Sequence, residues 1–438
     1  MKKNFTLSFA VALSLAASAQ SLKVLSCTDE FPSVYEPQLM GLGISPDGKY
    51  ACGAVSWGAG VFAADIQTGQ VKWEAIDDDE GGELRHIDNY GVALGLAHTY
   101  VFDTGELSVS VPPAGYRAVL NEDLTNDGSL IVGSLSSSET HAAYHKVGED
   151  WHLLPIPPDD ELFGLAPKFD NTSAAKHVSA DGDVIFGFLG SFFIPTLWYR
   201  NDAGGYDYDF FLSRFLKFSN ADLNDDSKPL YGVSAHYIKM SNNGRYVSMI
   251  GIIVDEEGND KIIPVVYDTK NKEIKLYTEK QEIDDTNSGL YPTAISDDGT
   301  FIGCVGMPYY GSTGSFIMRA GETEAELFVD AFPEYYELLG ESDYLGFSMP
   351  TSISADGKKI LGYTYYADDY NDTETPALYV TYVISTDSED GVEQISGAPS
   401  SARAQEIYSI DGRSLNHMTK GLNIVRNADG SVTKILNK

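Results

Sequence analysis

Short bursts of apolar residues, each broken by a polar turn, recur along the chain. "GLGISPDGKYACG" from Gly41, "KHVSADGDVIFG" from Lys176, "TAISDDGTFIGC" from Thr293 and "TSISADGKKILG" from Thr351 share one plan: strand, turn, strand. Aligned on the turn glycine, seven units appear, at Gly48, Gly91, Gly128, Gly182, Gly244, Gly299 and Gly357. Four places earlier every unit has an apolar residue, and three places earlier Ser, Thr or Asp. Asp or Asn precedes the glycine except in the second unit, where Tyr90 does, and a second glycine often follows four or five places later. Asp-Gly and Asn-Gly supply the positive φ that tight hairpin turns demand. The hydroxyl can satisfy turn N–H groups. The second glycine predicts close approach of a neighbouring backbone.

Two more short strands follow in most units, for example "VFAADI" then "QVKWEA", or "IPVVYD" then "EIKLYT". Four strands per unit make one small antiparallel sheet, which cannot cover both of its own faces. Such units must pack radially. The expected fold is all-β: a seven-bladed β-propeller with a small C-terminal β appendage. The last unit ends after "ALYVTYVI" without a fourth strand, and residues 22–27, "LKVLSC", are expected to supply it and close the ring.

Composition changes this picture at the ends. "MKKNFTLSFAVALSLAASA" has a basic start, a short apolar run and an A-x-A site at Ala17 to Ala19, so residues 1–19 read as a signal peptide. "VLSC" at 24–27 lies beyond that site, behind Lys23, which argues against lipidation. The propeller spans 20–384, a polar linker 385–405, and a β tail 406–438. Three cysteines make no disulfide framework, and Cys52 and Cys304 sit in expected core strands. The net charge of −34 argues against nucleic acid and anionic lipid as partners. No later segment is long and apolar enough to predict a transmembrane helix.

At "ISPDGKY" and "ISDDG" the chain resembles the PD40-type repeats of TolB-like propellers and the related YVTN-type propellers, over about residues 39–384. The resemblance implies a propeller and often a binding role; the second unit, "HIDNYG", departs from the pattern. The tail resembles the C-terminal sorting domain of type IX secretion substrates, on Ile407, Tyr408, Asp411, Gly412, Arg413, Lys420, Gly421, Leu422, Ile424 and Val425. That resemblance implies secretion or cell-surface display, with the secretion machinery as a partner. Without a sorting role, the tail would be a β appendage on a periplasmic protein.

In a propeller the first strand of each unit lines the central channel, and the Asp-Gly turns lie on the bottom face. Here the bottom turns are short and alike, whereas 155–174, 211–236, 307–314, 332–350 and 365–376 are long top connections. Ligand recognition is therefore expected on the top face. Five and six places before the turn glycine stand Arg85 and His86, Glu122 and Asp123, and Lys176 and His177, with Lys239 and nearby His236 in the fifth unit. Either these groups grip a small polar ligand at the channel mouth, or they line a water-filled shaft and pair among themselves. Tyr309, Tyr310, Tyr344, Tyr365, Tyr366 and Tyr370, with Tyr335, Tyr336 and Phe347, form a second candidate set. Their flat faces and polar tips suit glycans and peptides; the alternative is that they pack their own loops.

Enzyme signatures are thin. The chain has no G-x-S-x-G, no H-E-x-x-H and no phosphate-cradling loop. His141 and His145 share a strand face without an evident third metal ligand, and "DLTNDG" and "DLNDDS" miss the EF-hand spacing. No cofactor is expected, calcium being the one that so acidic a chain leaves open. Two functions follow: a secreted, non-catalytic propeller that binds a glycan, peptide or partner protein, or a propeller glycosidase or lyase working through the channel His and carboxylate groups.

Overall fold

A computed structural model describes residues 21–25, 38–76, 82–157, 172–190, 194–217, 222, 224–255, 257–278, 281, 283, 289–308, 314–335, 347–366 and 378–386, and four tail strands within 406–437. Seven four-stranded antiparallel sheets follow one another along the chain. The first runs Leu39–Ile44, Tyr50–Val55, Gly60–Asp65, Val71–Ala75, and the fifth Gly232–Met240, Tyr246–Val254, Asp260–Asp268, Glu273–Leu276. The first strands touch in the order one to seven and back to one, so the sheets stand as blades round a common axis.

The ring is closed by Ser21–Leu25, which pairs antiparallel with Leu378–Ser385 as the outer strand of blade seven, Ser21 opposite Ser385 and Leu25 opposite Thr381. Residues 26 and 27 of the expected closing segment lie outside the described set. Between blades the core is aliphatic and aromatic: Phe186, Met249, Val265 and Tyr267 between blades four and five, Ile302, Ile360 and Tyr382 between six and seven. Cys52 and Cys304 are buried, and burial pushes the Cys52 thiol far above its usual range. No helix among the described residues is long and apolar enough to cross a membrane.

The turn boxes explain the repetition. All seven turn glycines have φ between +67° and +94°. In blade one the Ser45 hydroxyl accepts from the Lys49 and Tyr50 N–H groups and donates to Asp47 Oδ1 at 2.7 Å. Blade two lacks both the serine and the turn Asp; Asp88 Oδ1 takes the Tyr90 and Val92 N–H groups at 2.9 and 2.8 Å instead. The turns also bond to one another: Asp47 N–H to Asn89 Oδ1, Asn89 N–H to Asn126 O, Asn243 N–H to Asp297 Oδ1, Asp297 N–H to Ala355 O, and Ala355 N–H to Pro46 O.

Two long connections, expected to be surface loops, fold inward where they are described. Phe211–Arg214 forms a short 3₁₀ turn with Phe211 and Leu212 buried between blades four and five. Just before the second connection, 332–350, the expected outer strand "EAELFV" ends at Leu327 and Phe328–Ala331 turns helical; Phe328, Phe332 and Tyr335 fill the gap between blades six and seven. Phe332 caps this one-turn helix, and Tyr335 follows in the 3₁₀ turn Pro333–Tyr335. The tail strands Ser414–Leu415, Glu406–Ser409, Gly421–Arg426 and Val432–Asn437 make a separate antiparallel sheet in that order.

Candidate functional site

Five of the seven first strands, those of blades one, three, four, six and seven, carry the same irregularity. The register against the second strand slips between Gly41 and Gly43, Asn121 and Asp123, Ala175 and His177, Pro292 and Ala294, and Pro350 and Ser352. These are β-bulges, which re-aim side chains. Glycine on the second strand makes room for them. A Cβ on Gly53, Gly133, Gly187 or Gly303 would lie 1.9–2.0 Å from the carbonyl oxygen of Met40, Leu120, Ala174 or Tyr291, just before the bulge. Blade five has Met249 at this place, and its register slips over a longer stretch, from Ser234 to Lys239.

As a result two consecutive side chains of one strand reach the axis. Arg85 and His86, Glu122 and Asp123, and Lys176 and His177 all line one cavity of about 680 Å³, together with Lys239. The cavity is the shaft of the ring. Its walls run from Pro46, Asn242 and Ala355 beside the turns to Met40, Ala174 and Met349 at the other end of the strands. The groups expected at the channel mouth among the top loops therefore sit toward the turn end of the shaft, Asp123 and His177 each being the last residue but one of its strand.

Their electrostatics are asymmetric. Arg85 donates to Glu83 at 2.7 and 3.0 Å, and Lys176 is paired with Glu122. Asp123 lies between two imidazoles, 3.0 Å from His86 Nδ1 and 3.5 Å from His177 Nδ1. The backbone N–H groups of Leu124 and Val178 donate to its two oxygens at 2.8 and 3.0 Å. Burial alone would raise the Asp123 carboxyl; the two imidazoles outweigh it and hold the group below the ordinary carboxylate range. Burial lowers His177, against the pull of Asp123. Lys239 is lowered as well, by burial first and then by Arg85. Its ammonium has neither a hydrogen bond nor an ion pair with any described residue. With Arg85 on Glu83 and Lys176 on Glu122, Lys239 is the shaft cation without a contact partner among the described residues, attracted only from a distance by Asp123 and Glu122.

The aromatic set fares differently. Tyr335 is a core residue, 7% exposed, which corrects its place on a surface patch. Tyr309, Tyr310, Tyr336, Tyr344 and Tyr370 lie outside the described residues, as do the side chains of Tyr365, Tyr366, Phe347 and His236. His141 and His145 gain no third ligand among the described residues; His145 stacks on Trp151 with ring centroids 5.3 Å apart.

Solved structures share the architecture. An oligogalacturonate lyase from Vibrio parahaemolyticus is 10% identical, covering 84% of this chain and 96% of its own, with a TM-score of 0.46. The Cps50 (Swd1) β-propeller domain of Myceliophteria thermophila is 11% identical, covering 83% and 99%, with a TM-score of 0.43. A putative TolB from Agrobacterium tumefaciens is 11% identical, covering 70% and 87%, with a TM-score of 0.32. Only the bladed fold is shared at this distance, and propellers serve many functions. No family model matches the chain, and no curated protein does.

Proposed function

We propose that this is a secreted or cell-surface binding propeller, and that its central shaft holds an anionic group of a glycan or peptide ligand. One observation carries the reading: Lys239 lines the 680 Å³ cavity without a partner among the described residues, while the carboxylates around it are engaged elsewhere. A buried ammonium left unpaired is costly, and an incoming carboxylate or sulfate would offset that cost. Export rests on the leader and tail patterns of the sequence. The test is calorimetric titration with acidic oligosaccharides and acidic peptides. Binding should occur to the wild type, fall at least about tenfold in Lys239→Ala, and persist in Lys275→Ala on an outer strand. Equal binding by wild type and Lys239→Ala would refute the shaft as the site.

A second reading, a glycosidase or lyase, draws on the Asp123 carboxylate set between His86 and His177. Such a pair can orient a general base. Turnover of polysaccharides that disappears in His177→Gln would favour it over simple binding.

A further inference from the structure

His86, Asp123 and His177 occupy the same place, five residues before the turn glycine, in three consecutive blades. One donor atom from each falls within 4.8 Å of the others. The two closest separations, 3.0 Å and 3.5 Å, join each imidazole Nδ1 to a carboxylate oxygen. Donors bound about 2.0–2.2 Å from a common ion, at tetrahedral or octahedral angles, stand roughly 3.0–3.5 Å apart. These separations run to different oxygens, Oδ1 for His86 and Oδ2 for His177, so each imidazole–carboxylate pair has the spacing of metal ligands and the carboxylate spans the two rings.

The groups are also braced. Leu124 and Val178 N–H groups occupy one acceptor site on each Asp123 oxygen, which fixes the carboxylate plane and leaves one acceptor site per oxygen. The His177 ring lies almost parallel to Phe186, at 6.2 Å and 22°, and edge-on to His86 at 5.7 Å. Side chains held in this way lose little freedom when an ion arrives.

We propose that His86, Asp123 and His177 bind one divalent transition-metal ion, with at least one coordination position left open to the shaft. Two imidazole nitrogens and one carboxylate oxygen suit zinc, cobalt or manganese; calcium and magnesium prefer all-oxygen sets. Three protein ligands, rather than four, are the pattern of sites that keep a position for water or ligand. Metal binding would displace the Nδ1 protons that otherwise sit between imidazole and carboxylate. The anionic ligand of the previous section could then bridge the ion and Lys239; this last clause alone rests on that reading.

The test uses the full chain, stripped with a chelator and dialysed against Zn²⁺ alone, then Co²⁺ alone as a spectroscopic probe. The wild type should retain one ion per chain and show the visible bands of histidine-bound cobalt. His86→Gln and His177→Gln should each weaken binding at least about tenfold. The double variant should fall to background, and His141→Gln on blade three should match the wild type. Retention of no ion by the wild type, or equal retention by the double variant, would overturn the proposal and leave the three groups as a proton-linked pair of contacts. Circular dichroism checks folding; should Asp123→Asn fail to fold, the two imidazole variants still decide. Anion titration of the metal-free protein is read separately. Metal retained without anion binding overturns the Lys239 reading, and the reverse overturns this one.

Discussion

The two halves of the shaft are built on equivalent first strands and spend their polar groups differently. Five places before the turn glycine, blades two to five have His86, Asp123, His177 and Lys239; blades six, seven and one have Ala294, Ser352 and Gly43. There the polar groups are spent on the neighbouring blade. Thr293 Oγ1 donates to Pro350 O at 2.6 Å, Thr351 Oγ1 to Gly41 O at 2.8 Å, and Ser352 Oγ accepts from Ile44 N–H at 3.3 Å. Thr381 Oγ1 accepts from Gly41 N–H at 2.8 Å. A Cβ on Gly43 would lie 2.3 Å from Arg85 O, so nothing larger fits at that seam. One half uses these groups only to stitch neighbouring blades; the other, where Asp123 also takes the Val178 N–H of the next blade, adds charged side chains converging on the axis. A repeat fold can thus divide holding and binding between equivalent positions without changing its backbone.

The sharpest break of this contrast is Asp123→Ala. It strips the partner from two imidazoles and two backbone N–H groups at once. In chelator-treated protein it should cost about 3 kcal/mol, read by urea unfolding; a cost below that of a stitching threonine would dissolve the distinction. Lys239→Met should act in the opposite direction. Removing an unpaired, desolvated ammonium should raise stability by about 1 kcal/mol while abolishing anion binding. Loss of stability there would mean that the lysine is structural. On the stitched side, Thr351→Val should cost about 1 kcal/mol and leave metal and anion titrations unchanged.

The smallest effect concerns the turns that both halves share. Burial raises the carboxyls of Asp88 in blade two and Asp297 in blade six above the ordinary value. A raised folded-state value means that the native protein holds the proton more tightly than the unfolded chain. Their contribution is full below the unfolded value, near 4, and is lost as pH rises through the folded one. Asp88→Asn and Asp297→Asn keep an acceptor oxygen, so each should flatten stability against pH above 4. Denaturation curves at pH 4, 5.5 and 7 measure this, and unchanged slopes would contradict it.

Much of the fold was legible in short motifs. The Ser-x-Asp-Gly boxes marked the blades because each hydroxyl has a fixed task in its turn, and Asp88 shows why blade two survives without one. The binding half was legible as positions and not as geometry. His86, Asp123 and His177 stand 37 and 54 residues apart in sequence, and only the curvature of the ring makes them neighbours. The second glycines were the missed signal: read as close backbone approach, they mark the bulge that turns paired residues inward. The inward turn of Phe328 and Phe332 was missed, and Tyr335 placed on a surface patch, for another reason. Helical spacing is easily overlooked in a chain that otherwise alternates in twos.

The pairing of Ser21–Leu25 with the final propeller strand has a kinetic corollary. The contact spans 364 residues between Ser21 and Ser385, so the last step of assembly waits for both extremities of the blade array. Chains dominated by such distant pairings fold slowly, and here blade seven carries an unsatisfied edge until its partner arrives. Any fusion or trimming near residue 21 therefore bears on how fast the molecule matures and on its exposure to aggregation meanwhile, before it bears on any ligand.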